Sequence, residues 1–385
     1  MKRSDERILT THTGSLARPH ALLDLMKARE SGEPYNQAAY EQAVRDAVGY
    51  VVHKQAESGI DVVNDGEQSK TGFSNYVRDR LTGFERADNQ PSGPPRLGGR
   101  EEDMFPEYYE DYYKIGYFTT RVTTVYPLVC RGPITYKPEA LQRDLANLKA
   151  AVKDVQVEEV FVPATTPSLA QRNEFYQSEE EYTFAVAEAI RSEYRMIVDA
   201  GFLVQIDAPG LVRPPLNAAS EAEGRKTVDM RIEALNYALR DIPEDRVRFH
   251  TCFGVNMGPR VSDDTLEEMI GPMLRIKAQA YSFEAANPRH MHEYHVFERV
   301  KLPAGKIIIP GMVTHAHNIV EHPDLIAEMI CNYARLVGRE NVMVGNDCGF
   351  SSQAVYKPEV DARVAWAKFE ALAEGARIAT RALWK

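Results

Sequence analysis

The stretch RVRFHTCFGVN, Arg246 to Asn256, is a short apolar run that closes on a histidine and a cysteine one residue apart. Side chains alternate between the two faces of a β-strand, so His250 and Cys252 project to the same side. Alone, such a pair is commonly a buried thiol beside a hydrogen-bonded core histidine, because free cysteine is among the most buried residue types. The same design recurs along the chain, however. IDVVNDGE (60–67), EEVFVPATT (158–166), GFLVQIDAPG (201–210), AYSFEAAN (280–287), KIIIPGMV (306–313) and ENVMVGNDCG (340–349) are also apolar runs that turn polar at their carboxyl ends. Longer helical patterns separate them, and that alternation argues for parallel strands with crossover helices.

The clearest of these helices is SEEEYTFAVAEAIRSEYRMIVDAG, with Ser178 and Glu181 at capping-box spacing and Gly201 as its stop. Adding ILTTHTGS (8–15) and RGPITYK (131–137) brings the number of candidate strands to nine. The expected fold is therefore α/β, a (β/α)8 TIM barrel over 1–385, with one strand left over in a hairpin or loop outside it. The residues with chemistry, Asp65, Glu67, Asp207, His250, Cys252, Glu284, Asp347 and Cys348, all fall at strand carboxyl ends, where such a barrel builds its active site. A doubly wound open sheet would also bind ligands there, but no strand leads into a G-x-G-x-x-G turn.

One excursion, at about 87–120, interrupts the pattern. It begins rich in Pro and Gly, which predicts a loop, and becomes dense in aromatics: Phe105, Tyr108, Tyr109, Tyr112, Tyr113, Tyr117 and Phe118. Those rings are too apolar to stay solvated. They are expected to pack on the barrel wall, to meet a subunit partner in a homo-oligomer, or to form a lid that excludes water.

Composition narrows the partners. With 46 Lys and Arg against 56 Asp and Glu, the net charge is −10 and no basic stripe interrupts it, so a nucleic-acid surface is not expected. No run of about 18 apolar residues suggests a membrane span, and MKRSDERILTTHTGS has no signal-peptide core, so a cytoplasmic protein is expected. Four cysteines, Cys130, Cys252, Cys331 and Cys348, are too few and scattered for a disulfide framework.

Zinc takes four ligands from Cys, His and Asp or Glu, and a catalytic site draws them from separate elements. Strand ends can supply His250, Cys252, Glu284 and Cys348 to one barrel mouth. Two thiolates, an imidazole and a carboxylate suit Zn²⁺ better than Mg²⁺ or Ca²⁺. His290, His292 and His295 in RHMHEYH form another cluster of metal-binding residue types, but a solvated helix start explains them more simply.

His-x-Cys, then Glu in SFEAAN, then Asp-Cys-Gly resembles the catalytic barrel of cobalamin-independent methionine synthase. TTHTGS, DVVNDGE, RGPITYK and VQIDAPG stand in the same order as that family's motifs, so the resemblance covers nearly the whole chain. Within it, FEAANPRHMHE and IIIPGMVTHAHNIVEHPDLIAE look most similar to the single-barrel epoxyalkane:coenzyme M transferases.

The resemblance implies a zinc-dependent S-alkyltransferase or methyltransferase whose partners are a small-molecule thiol and an alkyl donor. Coordination would deprotonate the thiol, which then attacks an electrophilic carbon. It further implies that Ser15, Glu67 and Asp207 bind the amino-acid group of a homocysteine-like substrate. Two departures matter. The family's Asp-x-His step is replaced by Thr314-His315-Ala316-His317, leaving His315 and His317 as candidate proton donors. The folate-stacking tryptophan is missing, since Trp366 and Trp384 both lie near the C-terminus, which counts against a methyl-folate donor. The competing readings are a metal-free barrel lyase similar to uroporphyrinogen decarboxylase and a non-catalytic zinc protein.

Overall fold

The computed structural model describes residues 1–73, 75–87, 99–114, 119–122, 128–169, 171–254 and 257–385. The strands in chain order are β1 (Leu9–Thr10), β2 (Val62–Val63), β3 (Phe84–Arg86), β4 (Leu128–Cys130), β5 (Glu159–Thr165), β6 (Arg172–Asn173), β7 (Leu203–Asp207), β8 (Val247–His250), β9 (Ala280–Phe283), β10 (Ile307–Val313) and β11 (Met343–Asn346). Eight of them form one sheet in the order β1-β11-β10-β9-β8-β7-β5-β2, with every pair parallel. The two outer strands meet through a parallel bridge between Thr11 and Val62, and Asp61 N donates to Thr10 O at 3.1 Å. The expected eight-stranded α/β barrel is the fold observed.

The ninth candidate, RGPITYK, is not a strand. Arg131 to Lys137 follow β4 as a loop whose one ladder contact is the isolated bridge from Tyr136 to Leu81. Pro133 has no N–H to donate, which works against a ladder there. β4 instead pairs antiparallel with β3 and parallel with β6 in a small sheet outside the barrel. The excursion leaves that sheet after β3 and returns through β4. Its Tyr117 and Phe118, with residues 88–98, lie outside the described residues.

The aromatic helix Pro106–Lys114 docks onto the loop that follows β8. Tyr108 Oη donates to Met257 O at 2.6 Å, and Tyr112 Oη donates to Glu359 at 2.5 Å while accepting from Met257 N at 3.2 Å. Tyr109 Oη donates to Glu101, whose other oxygen accepts from Ser262 N.

Helix Glu179–Asp199 begins where expected, with Ser178 Oγ accepting from Glu181 N at 3.1 Å. The reciprocal bond differs: the Glu181 carboxylate accepts from Gln177 N, one residue earlier than in a capping box. Gly201 follows at φ 95, a conformation that carries no Cβ penalty for glycine. Long helices of this kind cover the barrel with a continuous apolar layer that includes Ala187, Ile190, Leu235, Ile330 and Phe369. Inside, Leu9, Val62, Phe161, Leu203, Ala280, Ile307, Ile309 and Met343 plug one end. Arg248 fills the space near that plug, its guanidinium 4.0 Å from the centre of the Phe161 ring and donating to Thr11 Oγ1 and His12 O. With the interior filled this way, the open end is the one at the strand carboxyl termini. Among the described residues no helix is long and apolar enough to cross a membrane.

Candidate metal and substrate site

Register builds the site. Asp207 in β7 pairs with His250 in β8, and His250 pairs with Ser282 in β9, so the three occupy one row. Ser282 Oγ lies 3.2 Å from His250 Nδ1, which holds the ring and leaves the buried Nε2 without a hydrogen-bond partner. Two residues beyond His250, Cys252 turns to the same side. Cys348, just past β11, brings its sulfur to 3.1 Å from that of Cys252.

The ligand atoms of His250, Cys252 and Cys348 lie within 4.8 Å of one another, and all three residues are buried. Both cysteines are free. The hydrogen bond from Cys348 holds the Cys252 thiol well below its usual range, and the same bond with burial drives Cys348 well above it. Burial opposes protonation of His250, but the adjoining Cys252 sulfur, with Asp207 and Glu284, outweighs it and raises the imidazole pKa. A buried site holding two cysteine sulfurs and an imidazole whose Nε2 has no hydrogen-bond partner has the donor chemistry of a zinc centre.

Glu284 is the fourth expected ligand, and it is turned aside. Its Oε1 accepts from Phe253 N at 2.8 Å, and its Oε2 is buried without a partner. The structure groups it within 4.8 Å of His315 and Asp347. His315 is buried and bonds through Nε2 to Gly254 O at 3.0 Å, and burial lowers its pKa. His317 does not reach the site: its Nδ1 accepts from Ile319 N in a local turn. Asp347 had no ligand role in the sequence reading, although it neighbours Cys348. Its Oδ1 accepts from both Ala285 N and Ala286 N at 2.8 Å, tying β11 to the β9 end, and burial followed by Glu284 lifts its pKa to about 7.

A cavity of about 180 Å³ brings Ser15, Glu67 and Asp207 together with His250, Cys252 and Cys348. Glu67 sits at φ 55, a left-handed conformation costly for a non-glycine residue, and its Oε2 is buried without a partner. Asp207 accepts from Gln205 Nε2 at 2.7 Å. Its pKa rises to about 7, chiefly through burial and then through Glu67, against the pull of His250 and Lys70. Ser15 Oγ is 3.3 Å from Ser352 Oγ. Phe73, Pro209, Gly349 and Ser352 also line the cavity and carried no sequence signal of their own, since each arrives from a loop.

A larger hollow of about 580 Å³ opens on the flank between helices Gln37–Glu57 and Glu139–Ala151. Its central charges are already paired, Arg80 with Glu193 and Asp144, and Arg29 with Asp79. The histidine cluster is not a uniformly solvated helix start. His292 and His295 are exposed, but His290 is buried, held between Glu293 at 2.9 Å and Asp263 at 3.3 Å and stacked on Phe253. Neither Trp366 nor Trp384 lines the cavity.

Comparison with known proteins agrees with the fold. Residues 129–367 match the family model described as the catalytic domain of cobalamin-independent synthase. The chain is 24% identical over 380 residues to the methionine synthase of Thermococcus kodakarensis, covering 97% of this chain and 94% of that one. It is 25% identical over 344 residues to the Pyrococcus furiosus methionine synthase, covering 88% and 85%. Among solved structures, a B12-independent methionine synthase from Shewanella sp. W3-18-1, in complex with selenomethionine, superposes with a TM-score of 0.74 at 17% identity, covering 98% of this chain and 99% of that one.

Proposed function

Because the chain belongs to the cobalamin-independent methionine synthase catalytic-domain family, we propose that it is a zinc-dependent thiol S-alkyltransferase. The observation that carries this reading is the convergence of His250, Cys252 and Cys348 within 4.8 Å at the floor of the cavity. These three residues would hold the ion, and Glu284 would supply a fourth ligand if its carboxylate gave up the Phe253 amide. Bound there, zinc supplies a thiolate from an incoming thiol at neutral pH, where a free thiol of pKa about 8.5 is mostly protonated.

The chain's own residues do the rest. Glu67 and Asp207 hold a substrate ammonium, which supplies the partner that buried Glu67 Oε2 lacks. Ser15 and the backbone beside it orient the substrate carboxylate. The Shewanella enzyme's complex with selenomethionine is in keeping with an amino-acid substrate. His315, buried beside Glu284, is the proton donor for the leaving group or opened ring, and His317 is not. The depth of the site keeps water from competing with the thiol. The electrophile is a methyl donor or an epoxide. A metal-free lyase would have no use for two free thiols converging beside an imidazole.

The test is metal analysis of the purified chain with a thiol-consumption screen of homocysteine, coenzyme M and small thiols against methyl donors and epoxides. The expected result is about one zinc per chain and metal-dependent loss of one thiol. Absence of zinc together with activity that survives chelation would overturn the reading.

A further inference from the structure

Beside the sulfur centre a second group of ligand types converges. β9, β10 and β11 are consecutive neighbours in the sheet, and a metal-ligating residue follows each: Glu284 directly after β9, His315 two residues after β10 and Asp347 directly after β11. One ligand atom from each lies within 4.8 Å of the other two, and the residues are 2%, 4% and 0% exposed. A point central to three atoms so spaced is at most about 2.8 Å from each, so metal bonds of about 2.0–2.2 Å need them to close by under about 1 Å.

In each of the three, one polar atom is anchored and the other is bare. Glu284 Oε1 accepts from Phe253 N, Asp347 Oδ1 accepts from Ala285 N and Ala286 N, and His315 Nε2 bonds to Gly254 O. Glu284 Oε2, Asp347 Oδ2 and His315 Nδ1 are buried with no hydrogen-bond partner among the described residues. A carbonyl oxygen only accepts, so the proton of the neutral His315 ring sits on Nε2 and leaves Nδ1 as a lone pair.

Charge points the same way. Cys252, Cys348, Glu284 and Asp347 are all buried. As thiolates and carboxylates they carry four negative charges, of which one zinc balances two. Arg260 Nη2 is 4.0 Å from Glu284 Oε1, but Asp263, 3.6 Å from Nη1, shares that cation. Buried charges persist when they are paired or coordinate a metal.

We infer that Glu284, His315 and Asp347 form a second cation site beside the sulfur centre, taking a divalent ion harder than zinc, of the Mn²⁺ class. Two carboxylates and one imidazole suit such an ion, whereas the two thiolates of the first site select zinc. The inference goes beyond the thiol-transfer reading and rests on it only for the zinc counted above. In this arrangement Glu284 keeps the Phe253 amide and leaves the fourth position of the zinc to the thiol, and His315 keeps its Nε2 proton.

The test adds Mn²⁺ to the purified chain after exposure to one equivalent of zinc and follows the electron paramagnetic resonance signal of free Mn²⁺. One Mn²⁺ per chain is expected to bind. Three donors without sulfur hold an ion less tightly than the sulfur site, so this equivalent appears in titration and not in the metal retained through dialysis. Asp347→Asn keeps the Oδ1 acceptor and replaces Oδ2 by an amide NH₂, and His315→Gln removes the imidazole lone pair. Each should weaken Mn²⁺ binding tenfold or more with the zinc content unchanged, and His315→Gln decides alone if the asparagine variant does not fold. No Mn²⁺ bound by the wild type, or unchanged binding in a variant that folds, would overturn the inference and leave a proton on Asp347 as the balancing charge. A chain that takes up no zinc yet binds Mn²⁺, and loses it in His315→Gln, would end the zinc reading and leave the second site standing.

Discussion

Cys252 and Cys348 are 96 positions apart in sequence, and their sulfurs lie 3.1 Å apart. β8 and β11 are not neighbours in the sheet, since β9 and β10 lie between them. Closure of the barrel is what brings their ends to one point. Replacing either cysteine by serine removes a thiolate and leaves its partner buried. We expect Cys252→Ser and Cys348→Ser to lose zinc by more than the roughly 10–100-fold in affinity that loss of an outer partner costs. Elemental analysis after dialysis against a weak chelator measures it, and zinc retained at one per chain in both variants would contradict the assignment.

The acidic end of the cavity predicts a selective effect on affinity. Glu67→Gln and Asp207→Asn should raise KM for an amino-acid thiol by about tenfold or more, the scale of a lost charge-assisted hydrogen bond. KM for a thiol without an amino group should change little. Equal losses for both thiols would assign these carboxylates to the framework instead.

Gly311 contributes no ligand, yet it controls one. A Cβ there would lie 2.1 Å from Asp347 Oδ1 and 2.7 Å from Asp347 N, a clash that includes backbone. Gly311→Ala should push the β11 end away from β10 and carry Cys348 with it. The expected outcome is reduced zinc content in a chain whose circular dichroism is unchanged; full occupancy would show that the β11 end yields without cost.

Arg80 and Glu193 are a buried ion pair at 2.8 Å, with Tyr76 Oη also donating to Glu193 at 3.0 Å. Removing one partner leaves an uncompensated buried charge, which costs about 3–5 kcal/mol. Arg80→Met should lower the urea midpoint accordingly, and Arg80→Met with Glu193→Gln should recover much of the loss. An additive double variant would mean that the pair is not coupled.

His290 predicts a pH dependence of stability. Burial alone would lower its pKa, but Asp263 and Glu293 outweigh burial and lift it to about 9. A folded-state pKa above the unfolded value of about 6.5 contributes stability that is fully present below pH about 6.5 and is lost as pH rises through about 9. The full contribution is on the order of 3 kcal/mol. The stability gap between wild type and His290→Gln should therefore shrink between pH 6.5 and 9.5 in denaturant titrations; a constant gap would assign the stacking on Phe253, not the charge, as the stabilising contact.

The strands and the polar residues at their ends were legible in the sequence because strand alternation and burial are local patterns. Seven residues of chain suffice to mark KIIIPGM as a strand buried on both faces. His250 and Cys252 share a face by the same two-residue period, whatever surrounds them. The extra strand was misread because RGPITYK has β-forming residues and no local sign that its proline and loop contacts would prevail over pairing.

Which way a side chain turns depends on neighbours distant in sequence. Glu284 accepts the Phe253 amide in place of joining the sulfurs, and Asp347 bridges to β9 through two backbone N–H groups. His315 enters the site while His317, two residues later, closes a turn outside it. His290, expected on a solvated helix start, is buried, because the loop after β8 folds back beneath the aromatic helix and sets Asp263 against it. The sequence by itself determined the barrel and the ligand types offered at its mouth. Only the tertiary structure decided which of those groups converge, because that depends on barrel closure and on hydrogen bonds between segments that no local period relates.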